Sequence, residues 1–305
     1  MDAIEKNLLV EIAGLHEVPE GAYNIRQNGA GVARNTTANI DIVTKQDKPG
    51  IDIIIRPGTH KESVHIPVIL SQTGLKDLVY NDFFIGEDSD VTIVAGCGIH
   101  NGGDKDSQHD GIHTFHIEKN AKVRYVEKHY GAGDGNGQNI MNPTTVIEID
   151  EGGYMEMETT QIKGVDSTKR VTNAVLADGA TLIIKEKLMT HGAQLAETDF
   201  TVELNGVDSS ANVISRSVAK EHSHQVFRSV INGNNKCAGH TECDAIIMDE
   251  ASVCAVPEIT AKHIDASLIH EAAIGKIAGE QLIKLMTLGL TEQEAEEQIV
   301  SGFLK

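Results

Sequence analysis

The feature that most constrains this chain is a local pattern that recurs through its middle. A charged or polar residue and one or two small residues precede a run in which every second residue is apolar. It occurs at Ser89-Asp90-Val91-Thr92-Ile93, Ala121-Lys122-Val123-Arg124-Tyr125, Gly153-Tyr154-Met155-Glu156-Met157, Ala180-Thr181-Leu182-Ile183-Ile184, Ala211-Asn212-Val213-Ile214 and Ala251-Ser252-Val253-Cys254. Aligned on Val91, Val123, Met155, Leu182, Val213 and Val253, the copies lie 32, 32, 27, 31 and 40 residues apart. Alternation with period 2, as from Val146 to Asp150 and again from Met155 to Thr159, marks strands with one buried face. A small residue at each turn lets the chain bend tightly and lets neighbouring units approach. Such units cannot bury an apolar face alone and must stack, so the pattern predicts a mainly β chain with a solenoid core over 51–269. The competing arrangement is a sandwich, whose strands recur every roughly 8 to 12 residues and seldom repeat one turn signature at longer intervals.

The two ends read differently. Residues 1–50 form a lead-in that starts with an amphipathic helix from Asp2 to Leu15, halted before Pro19 and Gly21. From Glu271 the periodicity turns helical: Ile274, Ile277, Leu282 and Leu285 follow one stripe and Gly289 ends it. Thr291 with Glu294 three residues on is a capping box that opens a second helix ending near Gly302. Residues 270–305 therefore read as a C-terminal helical hairpin, either a cap on the solenoid or a docking surface.

Charge and composition exclude several function classes. With 26 Lys and Arg against 45 Asp and Glu the formal charge is −19, which repels phosphate backbones and anionic lipid. The absence of Trp, with only 5 Tyr and 6 Phe, leaves little for base-stacking platforms or sugar-binding surfaces. Neither nucleic acid nor membrane is therefore an expected partner, and a carbohydrate-active β-helix enzyme lacks both those aromatics and a clear pair of catalytic carboxylates. No stretch reaches the roughly 18 apolar residues of a membrane span. The first fifteen residues show no basic leader or cleavage site, so a cytoplasmic, reducing setting is expected, in which thiols can serve as ligands. The Gly131 to Gly137 run contains no phosphate-binding loop signature, so the chain itself is not expected to hydrolyse ATP.

Of four cysteines, Cys97 reads as core, while Cys237, Cys243 and Cys254 fall close together. Cys237, His240 and Cys243 form Cys-x2-His-x2-Cys, three soft or borderline ligands that could hold Zn or an iron-sulfur cluster but lack a fourth, while Cys243 also begins the apolar run Ala245-Ile246-Ile247-Met248 and reads equally as core. The group His100, His109, His113 and His116, with Asp104, Asp106 and Asp110, reads as a solvated turn or as a metal site on a loop; His109 and His113 share a strand face and His116 takes the other, so a three-His site needs a bend.

From Cys237 onward the chain resembles the C-terminal part of the SufB/SufD family of iron-sulfur cluster assembly proteins. The resemblance is carried by Glu242-Cys243-Asp244, Val256-Pro257-Glu258-Ile259 and the block from His270 to Ile277. It continues through Gln281-Leu282, the run from Gly289 to Ala295, and the run from Ile299 to Phe303. Upstream, Gly21 to Arg26 and the segment from Ile66-Pro67 to Asn81-Asp82 are also similar to family segments.

The resemblance implies a right-handed parallel β-helix that pairs with a second β-helix through its final strands and binds a SufC-like ABC ATPase through its C-terminal helices. The length resembles the compact SmsB-type form of minimal two-component systems, in which a homodimer replaces the SufB/SufD pair. The implied role is a scaffold and not an enzyme, assembling an iron-sulfur cluster, [4Fe-4S] in preference to [2Fe-2S], for apo iron-sulfur proteins; ATPase activity belongs to the partner. In the family an assembly cysteine lies six residues before the proline matching Pro257. Counted without gaps this is Ala251, so Cys254, three residues later, takes that role only across a bulge or shifted turn. His270 lies 13 residues after Pro257, as in the family, and His270 and Glu271 point opposite ways in an extended segment. The implied ligands are Cys254 with His270 or Glu271, while Cys237, His240 and Cys243 either ligate directly or relay sulfur and iron. A SufD-like adaptor that tethers the ATPase without holding a cluster is the second reading.

Overall fold

Alternation of apolar and polar residues makes strands, and the recurring turns fold each strand back above its predecessor one coil earlier. The structure, a computed structural model, describes residues 3–17 and 19–305, so Asp2 of the expected helix lies outside the described residues. The helix α1 runs Ala3–Ala13. The strands that follow are β1 (Ala22–Gln27), β2 (Ala30–Asn35), β3 (Ile40–Thr44), β4 (Gly50–Ile55), β5 (His60–Leu70), β6 (Lys76–Ile85) and β7 (Asp90–His100). Next come β8 (Ser107–Ile117), β9 (Lys122–Ala132), β10 (Asn139–Met141), β11 (Thr144–Ile149), β12 (Tyr154–Lys163), β13 (Ser167–Leu176) and β14 (Thr181–Thr190). The chain closes with β15 (Leu195–Leu204), β16 (Ser209–Ala219), β17 (His224–Gly233), β18 (Cys237–Ile247), β19 (Ser252–Ala261), β20 (Ser267–Gly275), α2 (Gly279–Met286) and α3 (Glu292–Phe303).

These strands build a right-handed parallel β-solenoid of two facing sheets. Sheet A runs β2-β1-β5-β7-β9-β12-β14-β16-β18-β20, and sheet B runs β19-β17-β15-β13-β10-β8-β6-β4-β3, with β11 following β10 between the same neighbours, β13 and β8. Pairing is parallel throughout except at two N-terminal hairpins, β1/β2 and β3/β4. The segment before residue 50 is thus more than a lead-in, because its hairpins extend both sheets.

The repeat sets the register, with one adjustment. Val91, Val123, Met155 and Leu182 stack in line on sheet A, as the alignment predicts. The column continues through Ala211, Gly239 and Leu268, whereas Val213 sits above Ile184. Val253 belongs to sheet B, above Gln225. Both sheets begin their strands with similar turns, so the same signature occurs on each. One corner carries Gly58, Asp88, Asn120, Gly152, Gly179 and Asp208 in a column, all at positive φ, which accounts for the small or polar residue before each apolar run.

Inward side chains from both sheets share one core. Phe83 stacks on Phe115 at 4.4 Å, and Tyr125 meets Phe115 edge-on at 4.9 Å. On the outer face of sheet A, α1 buries Leu8, Leu9 and Ile12, and Gly96 and Gly98 leave room for it: a Cβ at Gly96 would lie 2.8 Å from the Ile12 carbonyl oxygen. At the C-terminus, residues 271–275 are strand and not helix, since they pair with β18 from Glu242–Glu271 to Ile246–Gly275. Helix begins only at Gly279. The α3 helix opens with the expected capping box at Thr291 and Glu294, and Val300 and Leu304 pack on Val218.

Candidate metal centre

The last coil of the solenoid is where most of the singled-out residues fall. Period 2 sorts them strictly. On β18, Cys237, Gly239, Thr241, Cys243 and Ala245 point into the core and His240, Glu242 and Asp244 point out. On β20, paired residue for residue with β18, Thr241 stands beside His270 and Glu242 beside Glu271.

This parity does not bring Cys237, His240 and Cys243 together: the two cysteines lie inside the solenoid and the histidine outside it. Cys237 and Cys243 are buried. Burial, with Glu186 and Asp244 nearby, pushes the Cys243 thiol up to about 12, and burial also raises Cys237. Without a metal both are neutral thiols at physiological pH, and a metal would have to displace their protons to bind them. Cys97 is buried as expected.

Outside sheet A, His240, Glu242 and Glu271 place one ligand atom each within 4.8 Å of one another. His240 Nε2 lies 3.8 Å from Glu271 Oε2, and His240 Nδ1 is 3.0 Å from Asn212 Oδ1 on the preceding coil. A proton on Nδ1 would be donated to that acceptor, leaving Nε2 free to ligate. Burial, then the neighbouring Asp244, raises the Glu242 carboxyl. Elsewhere on the outer faces, carboxylates on adjacent coils meet cations, as Glu156 meets Lys185 at 2.8 Å, and the stacked Asp52 and Asp82 share Lys45. Glu242 and Glu271 are stacked in the same way, and His240 is the basic group of their cluster. Two carboxylates and one imidazole suit a divalent first-row cation.

His270 faces inward, and its Nδ1 is buried with no hydrogen-bond partner among the described residues; Thr241 Oγ1 beside it is likewise unpartnered among them. Cys254 is exposed on the outer face of sheet B. The strand bearing it pairs with β17 without a register shift from Ser252 to Ala261, so no bulge within the strand restores the family position and Cys254 keeps the outward parity of a regular strand. The sheets share one core and face away from each other on their outer sides, so Cys254 and Glu271 lie on opposite faces of the chain. His270, Glu271 and Cys254 nonetheless all sit on the two strands that end their sheets, β20 and β19.

A family model, the SufBD core domain of SUF system FeS cluster assembly, matches residues 80–303. The chain belongs to the SufBD family. It is 30% identical over 255 residues to an iron-sulfur cluster assembly SufBD family protein of Methanocaldococcus jannaschii, covering 83% of this chain and 79% of that protein. A SufBD family protein of Archaeoglobus fulgidus is 30% identical over 75% of this chain, and one from Methanothermobacter thermautotrophicus strain Winter is 29% identical over 78%. The matches span 61% and 57% of those two relatives, so the chain covers less than two thirds of their length. Its general role is thus that of a SufBD protein in iron-sulfur cluster assembly.

Sequence reasoning missed two features of this SufBD chain. Glu242 was passed over because it lies 29 residues from Glu271, one coil away, and no local signal links them. The second is a buried polar chain inside the solenoid. Asn81 Nδ2 is 3.3 Å from His113 Nε2, and His113 Nδ1 is 2.8 Å from the Tyr125 hydroxyl, which donates to Glu127 at 3.1 Å. Arg170 donates to Glu127 at 2.7 Å and lies 3.9 Å from Glu186, which accepts from Thr198 and Ser215. His109 and His113 therefore lie inside on β8 and not on a solvated turn; burial takes His113 down to about 4. His116 points out, stacked on Phe84, as the face assignment predicts. Parity alone could have revealed the chain, since Val123, Tyr125, Glu127 and His129 share one inward face.

Proposed function

We propose that the chain is a scaffold on which an iron-sulfur cluster is assembled at the junction of two copies joined through β19 and β20. The observation that carries this reading is the open last coil. Two sheets end there on strands with one neighbour each, and Val256, Ile259, Ile264 and Ile269 are exposed around them. Bare strand edges of this kind invite pairing with another chain. The donors fall on the same coil: Cys254 on one outer face, Glu271 on the other, and the unpartnered His270 Nδ1 between them. Because the two outer faces point away from each other, one chain cannot gather Cys254 and Glu271 around a single cluster. A second copy supplies what the first lacks.

In this reading Cys254 provides thiolate, His270 or Glu271 completes the set, and the cluster is [4Fe-4S] in preference to [2Fe-2S]. His240, with Glu242 and Glu271, receives iron before the thiolate does. The buried Cys237 and Cys243 take no direct part. A SufC-like ABC ATPase docks on the segment from 276 to 305, where α2 has no buried residue and Ile283, Met286 and Leu288 are exposed. Dimerisation of that ATPase on binding nucleotide strains the paired solenoids and opens the site, driven by its different affinity for the two states. The chain hydrolyses nothing itself, works in the cytoplasm in the compact SmsB-type arrangement, and passes its cluster to apo iron-sulfur proteins.

Anaerobic reconstitution with iron and sulfide, followed by absorption and Mössbauer spectroscopy, tests the reading. A Cys254→Ala/Glu271→Ala double variant that holds the same cluster as the unaltered chain would falsify it. One observation favours a second reading, a SufD-like adaptor without a cluster: Cys254 is three residues from the family's cysteine position and no bulge restores it. Cluster occupancy of the reconstituted chain separates the two, since both require ATPase binding.

A further inference from the structure

At the other end of the solenoid the two N-terminal hairpins leave a cavity of about 400 Å³ between them. Its walls carry Arg26 and Arg34 from β1 and β2, Lys45 and Lys48 from the turn after β3, and Asn24 and Asn81. Among the described residues no acidic side chain lines it, although the chain as a whole bears −19. Four cations around one cleft in so acidic a chain is the reverse of what composition favours.

Two of the four are already neutralised. Asp77 accepts from Arg26 Nε at 3.0 Å and from Nη2 at 2.6 Å, and Lys45 donates to Asp52 and Asp82 behind the wall. The other two are held differently. Arg34 is fixed by neutral acceptors only: Asn24 Oδ1 at 2.9 Å, the Ile42 carbonyl at 3.2 Å and Thr44 Oγ1 at 2.9 Å. These bonds use Nε and Nη1, and Nη2 has no hydrogen-bond partner among the described residues. Lys48 Nζ lies over the Tyr80 ring, 4.6 Å from its centre. Neither forms an ion pair among the described residues. A guanidinium orientated by three neutral groups keeps its full charge, and its free edge is arranged for an anion.

We propose that this cleft binds a phosphate-bearing small molecule. A phosphate monoester carries nearly two negative charges and three acceptor oxygens, which matches Arg34, Lys48 and the amide of Asn24. A carboxylate carries one charge and leaves one of the two cations unmatched. The floor, Ile51, Ile66, Val68 and Val79, is apolar and accepts the body of the ligand, and the volume lies within the usual range for small-molecule sites. The site is at the opposite end from β19 and β20, so it stands whether or not the cluster assembles there.

Isothermal titration calorimetry of the full chain with phenyl phosphate, inorganic phosphate and benzoate tests the inference. Phenyl phosphate should bind most tightly, with inorganic phosphate weaker for lack of a body and benzoate weaker by about tenfold for lack of charge and oxygens. Arg34→Gln and Lys48→Met should each weaken phenyl phosphate by about tenfold, whereas Arg228→Gln, on an outer face far along the chain, should leave it unchanged. Lys48 Nζ makes no hydrogen bond or ion pair among the described residues and lies over the Tyr80 ring, so its variant keeps the test open if Arg34→Gln does not fold. Absence of phenyl phosphate binding, affinity for it unchanged from the unaltered chain in both variants, or benzoate binding as tightly as phenyl phosphate would each overturn the assignment.

Discussion

Replacing Arg170 by Met removes the cation from the middle of the buried polar chain. Burial by itself pushes the Glu127 carboxyl up, but Arg170, with His129 and His113, outweighs it and holds Glu127 well below the usual carboxylate range. The substitution deletes the 2.7 Å bond from Arg170 Nη1 and the 3.9 Å approach to Glu186. Glu127 retains the Tyr125 hydroxyl, and Glu186 retains those of Thr198 and Ser215. Breaking a buried pair by removing one partner costs about 3–5 kcal/mol, and that loss is expected near pH 7.5.

The loss should depend on pH with a definite sign. A carboxyl whose folded pKa is depressed contributes stability that is complete above its unfolded value, near 4.3, and disappears as pH falls through the folded value. In the variant burial is opposed by the histidines and the Tyr125 hydroxyl but no longer by the guanidinium, and the Glu127 carboxyl is expected to rise above its unfolded value. The folded variant then binds a proton that the unfolded chain has released, so its stability falls as pH rises. The gap between the two proteins should therefore narrow from pH 7.5 to pH 4.5, by about 1.4 kcal/mol for each unit that the variant's Glu127 exceeds 4.3. Urea unfolding followed by far-ultraviolet circular dichroism at both pH values measures it, and groups common to both proteins cancel in the difference. A gap below about 1 kcal/mol at pH 7.5, or one that is the same at both pH values, would refute the reasoning.

Three further outcomes follow from particular positions. A Cβ at Gly131 would lie 1.7 Å from the Gly164 carbonyl oxygen, so Gly131→Ala should cost more than about 4 kcal/mol; Gly58→Ala, with φ +70° in open space, should cost only about 1–2 kcal/mol, and thermal melts compare them. In the folded chain a thiol reagent at pH 8 should modify Cys254 promptly and the buried Cys97, Cys237 and Cys243 only after unfolding; rapid modification of Cys237 or Cys243 would contradict the inward parity of β18. Thr291→Ala removes the hydroxyl that accepts from the Glu294 amide at 3.2 Å, and hydrogen exchange in the first turn of α3 should speed up roughly fivefold.

Much of the fold was legible because strand alternation is local. The column Val91, Val123, Met155 and Leu182 could be read directly, as could the capping box at Thr291. Val213 and Val253 misled for two physical reasons. Residues two apart on a strand are equivalent in pattern, so a slip from Ala211 to Val213 leaves no trace. Similar turns also open strands in both sheets, so Val253 carries the same signature from the opposite side. The helical stripe read from Glu271 failed at its start because parallel pairing with β18 outweighed local periodicity as far as Gly275.

At the candidate site the division is equally clear. The sequence by itself determined the residue chemistry, the face each residue takes within its strand, the stacking of coils and the family to which the chain belongs. It also contained, in the inward parity of Glu127 and His129, a buried polar chain that was there to be read. Only the tertiary structure decided which residue lies over which on adjacent coils and which sheet each strand joins, and hence that His240, Glu242 and Glu271 converge, that Cys237 and Cys243 are neutral core thiols, and that Cys254 and Glu271 face opposite ways. The reason is that facing is set by neighbouring residues along a strand. Register between coils is set by turn lengths and by pairing across about thirty residues, for which no short stretch of sequence holds a signal.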